Sequence, residues 1–290
     1  LNAWVFVDET VYLNPKLTLN LGLRTDIYRF AYTDFLYPIN SGITYKAITN
    51  PKVNLEYQYN SNVKLSAKSG FGFHSNDARS VVLGRLENSL ARAFGNEAGV
   101  YAKLTSKTFF NLAFWTLDLE NELVYVGDEG VVEVAGATRR YGIDFGVRQQ
   151  IAKHWFVDLD INVNRGRLLD EEEGENYIPL APDFTLVSGV NLEFKNGFYG
   201  GVHLRYLADR AANEDNSIIA EGYTVTDLNI GYKVKQMDFG VQVQNLFDVE
   251  WNETQFATNS RLQGEDTPVE EIHFTPGTPF FINASVAYMF

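Results

Sequence analysis

Polar and apolar residues alternate along most of this chain. In "LTLNLGLRTD", Leu17, Leu19, Leu21 and Leu23 fall on one side, with Thr18, Asn20, Gly22, Arg24 and Asp26 on the other. "VKLSAK" sets Val63, Leu65 and Ala67 against Lys64, Ser66 and Lys68. "VDLDINVN" sets Val157, Leu159, Ile161 and Val163 against Asp158, Asp160, Asn162 and Asn164. The last residues repeat it: Phe280, Ile282, Ala284, Val286, Tyr288 and Phe290 are apolar, while Asn283 and Ser285 lie between them. Successive strand residues point to opposite faces, so a period of two predicts strands with one greasy face and one wet face. No stretch holds a helical apolar period.

About thirteen strands are expected, near 1–13, 17–30, 45–59, 63–73, 91–104, 108–126, 137–151, 155–168, 184–194, 198–209, 221–234, 237–249 and 278–290. Their connections alternate in length. Short ones at 14–16, 60–62, 105–107, 152–154, 195–197 and 235–236 carry residues suited to tight turns, such as "NPK", "NSN" and "KNG". Long ones near 31–44, 74–90, 127–136, 169–183, 210–220 and 250–277 are rich in Asp, Glu, Asn, Gly and Pro. Short turns at one end and long loops at the other predict an antiparallel transmembrane β-barrel rather than a soluble sandwich or lipocalin-like barrel. Aromatics near the predicted strand ends, among them Tyr12, Phe109, Trp155, Phe198, Tyr206, Phe247 and Trp251, suit the two water–lipid boundaries. Phe290 would close the last strand at the periplasmic boundary.

Composition narrows this further. The 290 residues carry a formal net charge of -13, which argues against nucleic-acid binding through a basic patch. No apolar run reaches the eighteen or so residues of a membrane helix. There is no cysteine, which excludes disulfides and thiolate metal sites. The chain opens on Leu1 without a signal peptide, and its start reads as a cut in a longer protein.

Four stretches together resemble the C-terminal barrel portion of TonB-dependent outer-membrane receptors. "VQVQNLFDVEW" is similar to the family's penultimate strand, with its Asn-Leu-Phe-Asp signature at Asn245, Leu246, Phe247 and Asp248. "FTPGTPFFINASVAYMF" is similar to the closing strand, with Tyr288 and Phe290 at its end. "LNPKLTLNLGLRTD" and "GFGFHSNDARS" resemble a periplasmic turn with its Gly-x-Arg-x-Asp strand and a Gly-Phe-His strand end. The resemblance covers essentially the whole chain. It implies a barrel of about 22 strands closed by an N-terminal plug, so residues 1–290 are expected to be the last thirteen or so strands, without plug or TonB box. It implies energised uptake of a scarce nutrient (a ferric siderophore, a cobalamin or a saccharide) across the outer membrane of a Gram-negative bacterium. The partners it implies are the inner-membrane TonB complex, outer-membrane lipid and lipopolysaccharide, the barrel assembly machinery through the C-terminal strand, and a small-molecule ligand, with no nucleic acid. The alternative is a passive porin or a structural barrel; a third reading is an outer-membrane hydrolase.

Candidate chemistry is sparse. No zinc-protease, nucleophile-elbow, P-loop or dinucleotide motif occurs, so an enzyme is not expected. His74, His154, His203 and His273 are too scattered to support a metal site, and no cofactor is expected. The ligand-binding candidates are His74, Asn76, Asp77 and Arg79, where a strand meets a long loop; the alternative is that they pin the loop to its neighbours. Lys64, Lys68, Asn54, Glu56, Arg24 and Asp26 share the predicted inner face and could meet ligand, contact a plug, or pair across strands. The acid run Asp170–Asn176 lacks the spacing of a calcium loop and reads as solvated, as does the acidic 250–277 loop. Barrel closure and assembly are assigned to Asn245, Leu246, Phe247, Asp248, Tyr288 and Phe290.

Overall fold

The computed structural model describes residues 1–84, 89–126, 131–134 and 136–290. Among these, the strands are β1 (Asn2–Asn14), β2 (Leu17–Tyr32), β3 (Gly42–Asn60), β4 (Val63–Ser75), β5 (Leu90–Thr105), β6 (Thr108–Leu119), β7 (Leu123–Val126), β8 (Val131–Val134), β9 (Thr138–Ala152) and β10 (Trp155–Leu168). They continue as β11 (Phe184–Glu193), β12 (Phe198–Leu207), β13 (Arg210–Ala211), β14 (Ile219–Ala220), β15 (Tyr223–Val234), β16 (Met237–Gln244), β17 (Asn252–Ser260), β18 (Val269–Pro276) and β19 (Phe281–Tyr288). Thirteen of them form one sheet in the order β1-β2-β3-β4-β5-β6-β9-β10-β11-β12-β15-β16-β19. The other six form three small hairpins, β7-β8, β13-β14 and β17-β18. The thirteen long strands are those read from the alternation.

The boundaries differ where chemistry interrupts the pattern. The strand expected over 108–126 stops at Leu119, because Glu120, Asn121 and Glu122 break the alternation; Leu123–Val126 belongs to a separate hairpin. Of the connection expected at 127–136, residues 127–130 and 135 lie outside the described residues, as do 85–88 of the loop at 74–90. The strand expected over 237–249 ends at Gln244. Asn245 takes a positive φ of 50°, which an extended strand cannot continue. The acidic 250–277 segment contains the β17-β18 hairpin rather than irregular loop.

Short-range hydrogen bonds build the tight turns. Asn14 Oδ1 accepts the Lys16 amide at 2.8 Å, and Asn60 Oδ1 accepts those of Asn62 and Val63. Asn196 Oδ1 accepts Phe198 N–H, with Gly197 at φ 95°. These side chains replace the backbone partners a two-residue reversal leaves without one.

The chain divides into two compact units: Leu1–Val100 with Phe114–Leu123 and Val134–Tyr141, and Tyr101–Ala113 with Val124–Glu133 and Gly142–Phe290. In the first, Val5, Val7, Leu21, Leu23, Val53 and Leu55 form an exposed apolar face. In the second, Val202, Ile230, Val241, Phe239, Ile282 and Val286 do the same. Their register gives one shared face: Ile230 faces Val241, and Phe239 faces Val286. Exposed greasy rows of this length suit lipid, not water. The described residues contain no helix long and apolar enough to cross a membrane.

Candidate functional site

The other face of each unit carries the polar chemistry. In the first unit it is a ladder of ion pairs. Arg24 makes two 2.8 Å hydrogen bonds to Asp26, whose side chain is fully buried and also accepts from Asn2. Lys52 reaches Asp8 at 2.8 Å, two strands away. It can do so because Gly22 lies beneath it; a Cβ there would meet Lys52 Cε at 2.2 Å. Lys64 pairs with Glu56 at 3.2 Å, and Lys68 with Glu97 at 2.8 Å. Asn54 donates to Asn20 Oδ1, and Asn20 donates to Asp8. The candidates Arg24, Asp26, Lys64 and Lys68 therefore do share one face, engaged with carboxylates across and along the strands. Sequence reading missed Asp8 and Lys52. Their signal was a glycine within a polar row, which leaves room for a long neighbouring side chain.

Of His74, Asn76, Asp77 and Arg79, the structure brings Asp77 and Arg79 together. Asp77 caps the five-residue helix α1 (Ala78–Val82): its Oδ1 accepts the amides of Arg79 and Ser80 at 2.9 and 3.2 Å. Arg79 lies 3.7 Å from the same carboxylate, with both side chains more than half exposed. Such a pair contributes about 0–1 kcal/mol. Asn76 is buried, and its amide donates to the Ser89 carbonyl. His74 is exposed at the end of β4. Val81 of α1 packs with Phe30, Ile48 and Leu90, and Phe73 meets Tyr28 edge-on at 5.8 Å. This arrangement pins the loop to β2 and β3.

The second unit lines its polar face with glycines and amides. Asp158, Gly189, His203 and Asp227 stand in one cross-strand row; Asn191, Gly201, Asn229, Gln242 and Asn283 stand in the next. A Cβ on Gly201 would lie within 3.0 Å of Asn191 Oδ1, Asn229 Oδ1 and His203 Nε2, so glycine makes room for these heads. Between Tyr199, His203, Asp227, Gln242 and Asn283 lies a concavity of about 450 Å³. Arg148 pairs with Asp160 at 2.6 Å, and Tyr199 donates to Asp238 at 2.8 Å.

Loops of this unit are tied together. Gln255 exchanges two hydrogen bonds with the Glu221 backbone, Asn213 donates to Glu270, and Tyr177 and Leu180 donate to the carbonyls of Glu214 and Ala211. Outside the strands, Asp215 accepts from the Ser217 backbone and hydroxyl, which holds its carboxyl below the usual carboxylate range. Asp34, in the 33–41 loop, is likewise held down, chiefly by the Tyr37 amide and the Asn40 side chain. Among the described residues no group of three or more His, Asp or Glu is arranged to hold a metal.

The Asn-Leu-Phe-Asp stretch forms a buried knot. Asn245 is 1% exposed; its side chain donates to the Val249 and Thr278 carbonyls and accepts the Val249 amide. Its own amide donates to Asp227, and Leu246 N–H to the Thr226 carbonyl. Asp248, at φ 51°, accepts the Phe280 amide, while Phe247 is exposed. Tyr288 donates to Gln236 and meets the Phe290 ring edge-on at 5.3 Å. Trp155, Phe198, Tyr232, Tyr288 and Phe290 are all exposed near short-turn ends, as an aromatic girdle requires.

Residues 1–246 match the sequence model described as TonB dependent receptor-like, beta-barrel. Among solved structures, the ferric-catecholate import receptor Fiu from Escherichia coli K12, in its closed form, superposes with a TM-score of 0.74 at 17% identity, over 99% of this chain and 44% of that one. The ferric yersiniabactin uptake receptor FyuA from Yersinia pestis gives 0.73 at 15%, over 100% and 46%. The copper transporter OprC gives 0.77 at 16%, over 100% and 49%. This chain thus spans less than half the length of each of these structures.

Proposed function

The chain belongs to the TonB-dependent receptor-like β-barrel family, and from that premise we propose that it is the C-terminal part of an outer-membrane receptor for TonB-energised uptake of a scarce nutrient. The substrate would be of the ferric siderophore, cobalamin or saccharide class. The observation that carries the reading is the pairing of an exposed apolar face with a polar face of ion pairs, amides and glycines on the same strands. A lipid-facing wall around a hydrated lumen needs both.

Iron import by Fiu and FyuA and copper transport by OprC, as their names state, support metal-bearing nutrients ahead of the others. The plug and the TonB contact would belong to the rest of the full-length protein. Lipid and lipopolysaccharide would meet the apolar face, and the assembly machinery would read β19. The cross-strand carboxylate–cation pairs serve binding and hydration rather than catalysis, so no enzymatic role is proposed. The test is uptake of radiolabelled ferric siderophores, cobalamin and maltodextrin by cells carrying the full-length receptor, with and without a working TonB system. Uptake of one class that stops when TonB is removed is expected. TonB-independent flux of small solutes would replace this reading with a passive pore.

A further inference from the structure

The first unit holds a concavity of about 560 Å³ outside the set of residues singled out from the sequence, apart from Arg24. Its origin is Pro51. The β3–β4 ladder runs from Asn60 opposite Val63 to Lys52 opposite Gly70, and ends one residue short of Pro51, which has no N–H to extend it. Strict alternation would place Gly70 and Phe71 on opposite faces. A Cβ on Gly70 would meet Lys52 on the polar face, yet Phe71 and Phe73 line the same concavity as Lys52, while a Cβ on Gly72 would meet nothing. Phe73 meets Tyr28, which has the parity of Arg24 and Asp26, so the phase of β4 has changed between Gly70 and Phe73, past the end of the ladder, and both phenylalanine rings border the concavity.

Those rings face Trp4 and Phe6 of β1 across Arg24, Asn50 and Lys52. The Arg24 guanidinium lies 4.9 Å from the centre of the Trp4 ring, and Arg92 lies 5.3 Å from that of Phe71. Asn50 is 7% exposed, and neither its Nδ2 nor its Oδ1 has a hydrogen-bond partner among the described residues. A buried amide left with neither bond is costly unless something else supplies one. Asn50 stands ten residues before the end of β3. At roughly 3.3 Å per residue and a tilt of about 40°, that is about 25 Å from the short-turn end, the height of the apolar band. The concavity thus opens at the long-loop rim.

We propose that this concavity is a subsite for a planar aromatic ligand group bearing a hydrogen-bonding oxygen: the rings of Trp4, Phe6 and Phe71 stack on it and Asn50 bonds its oxygen, while Arg24 and Lys52 border it paired with Asp26 and Asp8. The inference rests on reading this face as the lumen of an uptake receptor.

Saturation-transfer NMR on the detergent-solubilised full-length receptor tests it, with salicylate as probe and cyclohexanecarboxylate as the ring-saturated control. Subtracting the signal of the Trp4→Ala/Phe71→Ala receptor removes binding to micelles. The expected result is salicylate transfer roughly threefold or more above that variant, a comparable drop for Asn50→Leu, and no such difference for cyclohexanecarboxylate; the loss of one stacking contact supports a change of this size. Heat-modifiable mobility confirms that each variant is folded. Equal salicylate signals in native and substituted receptors overturn the subsite, as they would if another part of the full-length chain fills the space. A cyclohexanecarboxylate difference equal to that of salicylate overturns it too. TonB-dependent uptake measured on the same receptors reports separately on the transport reading, which survives either failure.

Discussion

The polar faces of the two units solve one problem by different means. The first places formal charges side by side: Arg24 with Asp26, Lys52 with Asp8, Lys64 with Glu56, Lys68 with Glu97. The second keeps ion pairs such as Arg148 with Asp160 but adds rows of amides around glycines, as at Gly201 among Asn191, Asn229 and His203. An ion pair holds long side chains over the sheet and screens each charge with its partner. An amide row leaves the sheet thin, and its own hydrogen-bonding heads, Asn191, Asn229, Gln242 and Asn283, carry no charge. Both keep polar groups satisfied on a wall whose reverse side is apolar, but the first depends on charge state and the second on space.

The largest effect is expected at the knot of the second unit. Asn245→Ala removes three side-chain hydrogen bonds and takes from the Val249 amide and carbonyl their Asn245 partner, while the Thr278 carbonyl keeps the Trp251 indole N–H. Each buried group so stranded costs about 1–3 kcal/mol, and alanine also tolerates the positive φ less well. The yield of heat-modifiable, folded receptor should fall severely, and deletion of Phe290 should lower it less. Normal yields for both would show that the closing strand assembles without these contacts.

Next in size is the contrast between faces. Leu23→Arg or Val241→Arg places a charge toward lipid, at roughly 2–4 kcal/mol near mid-membrane. Asn54→Arg or Gln242→Arg points it at the polar face and should be mild. Urea titrations of refolded barrel in lipid vesicles read the difference. Equal midpoints within each pair would mean the faces are assigned the wrong way round.

A third test separates charge from space. A Cβ on Gly200 would lie 2.7 Å from the Asn229 carbonyl oxygen, part of the backbone, whereas one on Gly22 would meet the flexible Lys52 chain. Gly200→Ala is expected to cost about 1–3 kcal/mol through a backbone shift. Gly22→Ala should cost less, mainly by displacing Lys52 from Asp8, and only its effect should shrink in high salt. The same titrations run in low and high salt decide this.

The smallest expected effect is in the loops. Asp34 titrates below its unfolded value, so its contribution to loop order is fully present above the ordinary carboxylate range and is lost as pH falls through the lowered folded value. Hydrogen exchange at the amides of Leu36 and Tyr37, corrected for the intrinsic pH dependence, should accelerate only at strongly acidic pH. Asp34→Asn should loosen them at neutral pH. Asp77→Ala should do the same for Arg79 and Ser80, at the roughly 0.5–2 kcal/mol of a helix cap. Exchange unchanged in Asp77→Ala would show that packing of Val81 alone holds α1.

The sequence by itself determined the thirteen long strands, their two faces and the sorting of short and long connections. Each follows from local rules: side chains alternate across a strand, and tight turns demand particular residues. It also placed Arg24, Asp26, Lys64 and Lys68 on one face, because parity within a strand survives folding as long as no bulge intervenes. Only tertiary structure decided their partners. Asp8 and Lys52 are far apart in sequence and meet across Gly22, which depends on the register of three strands. Structure also decided that Asp77 caps a helix, and that Phe73 leaves the phase of its strand beyond the point where the ladder to β3 ends beside Pro51. Where a ladder ends on one strand, the side-chain phase of the next is released, and that influence passes through the hydrogen-bonded pairing, where a pattern read along a single strand has no access to it.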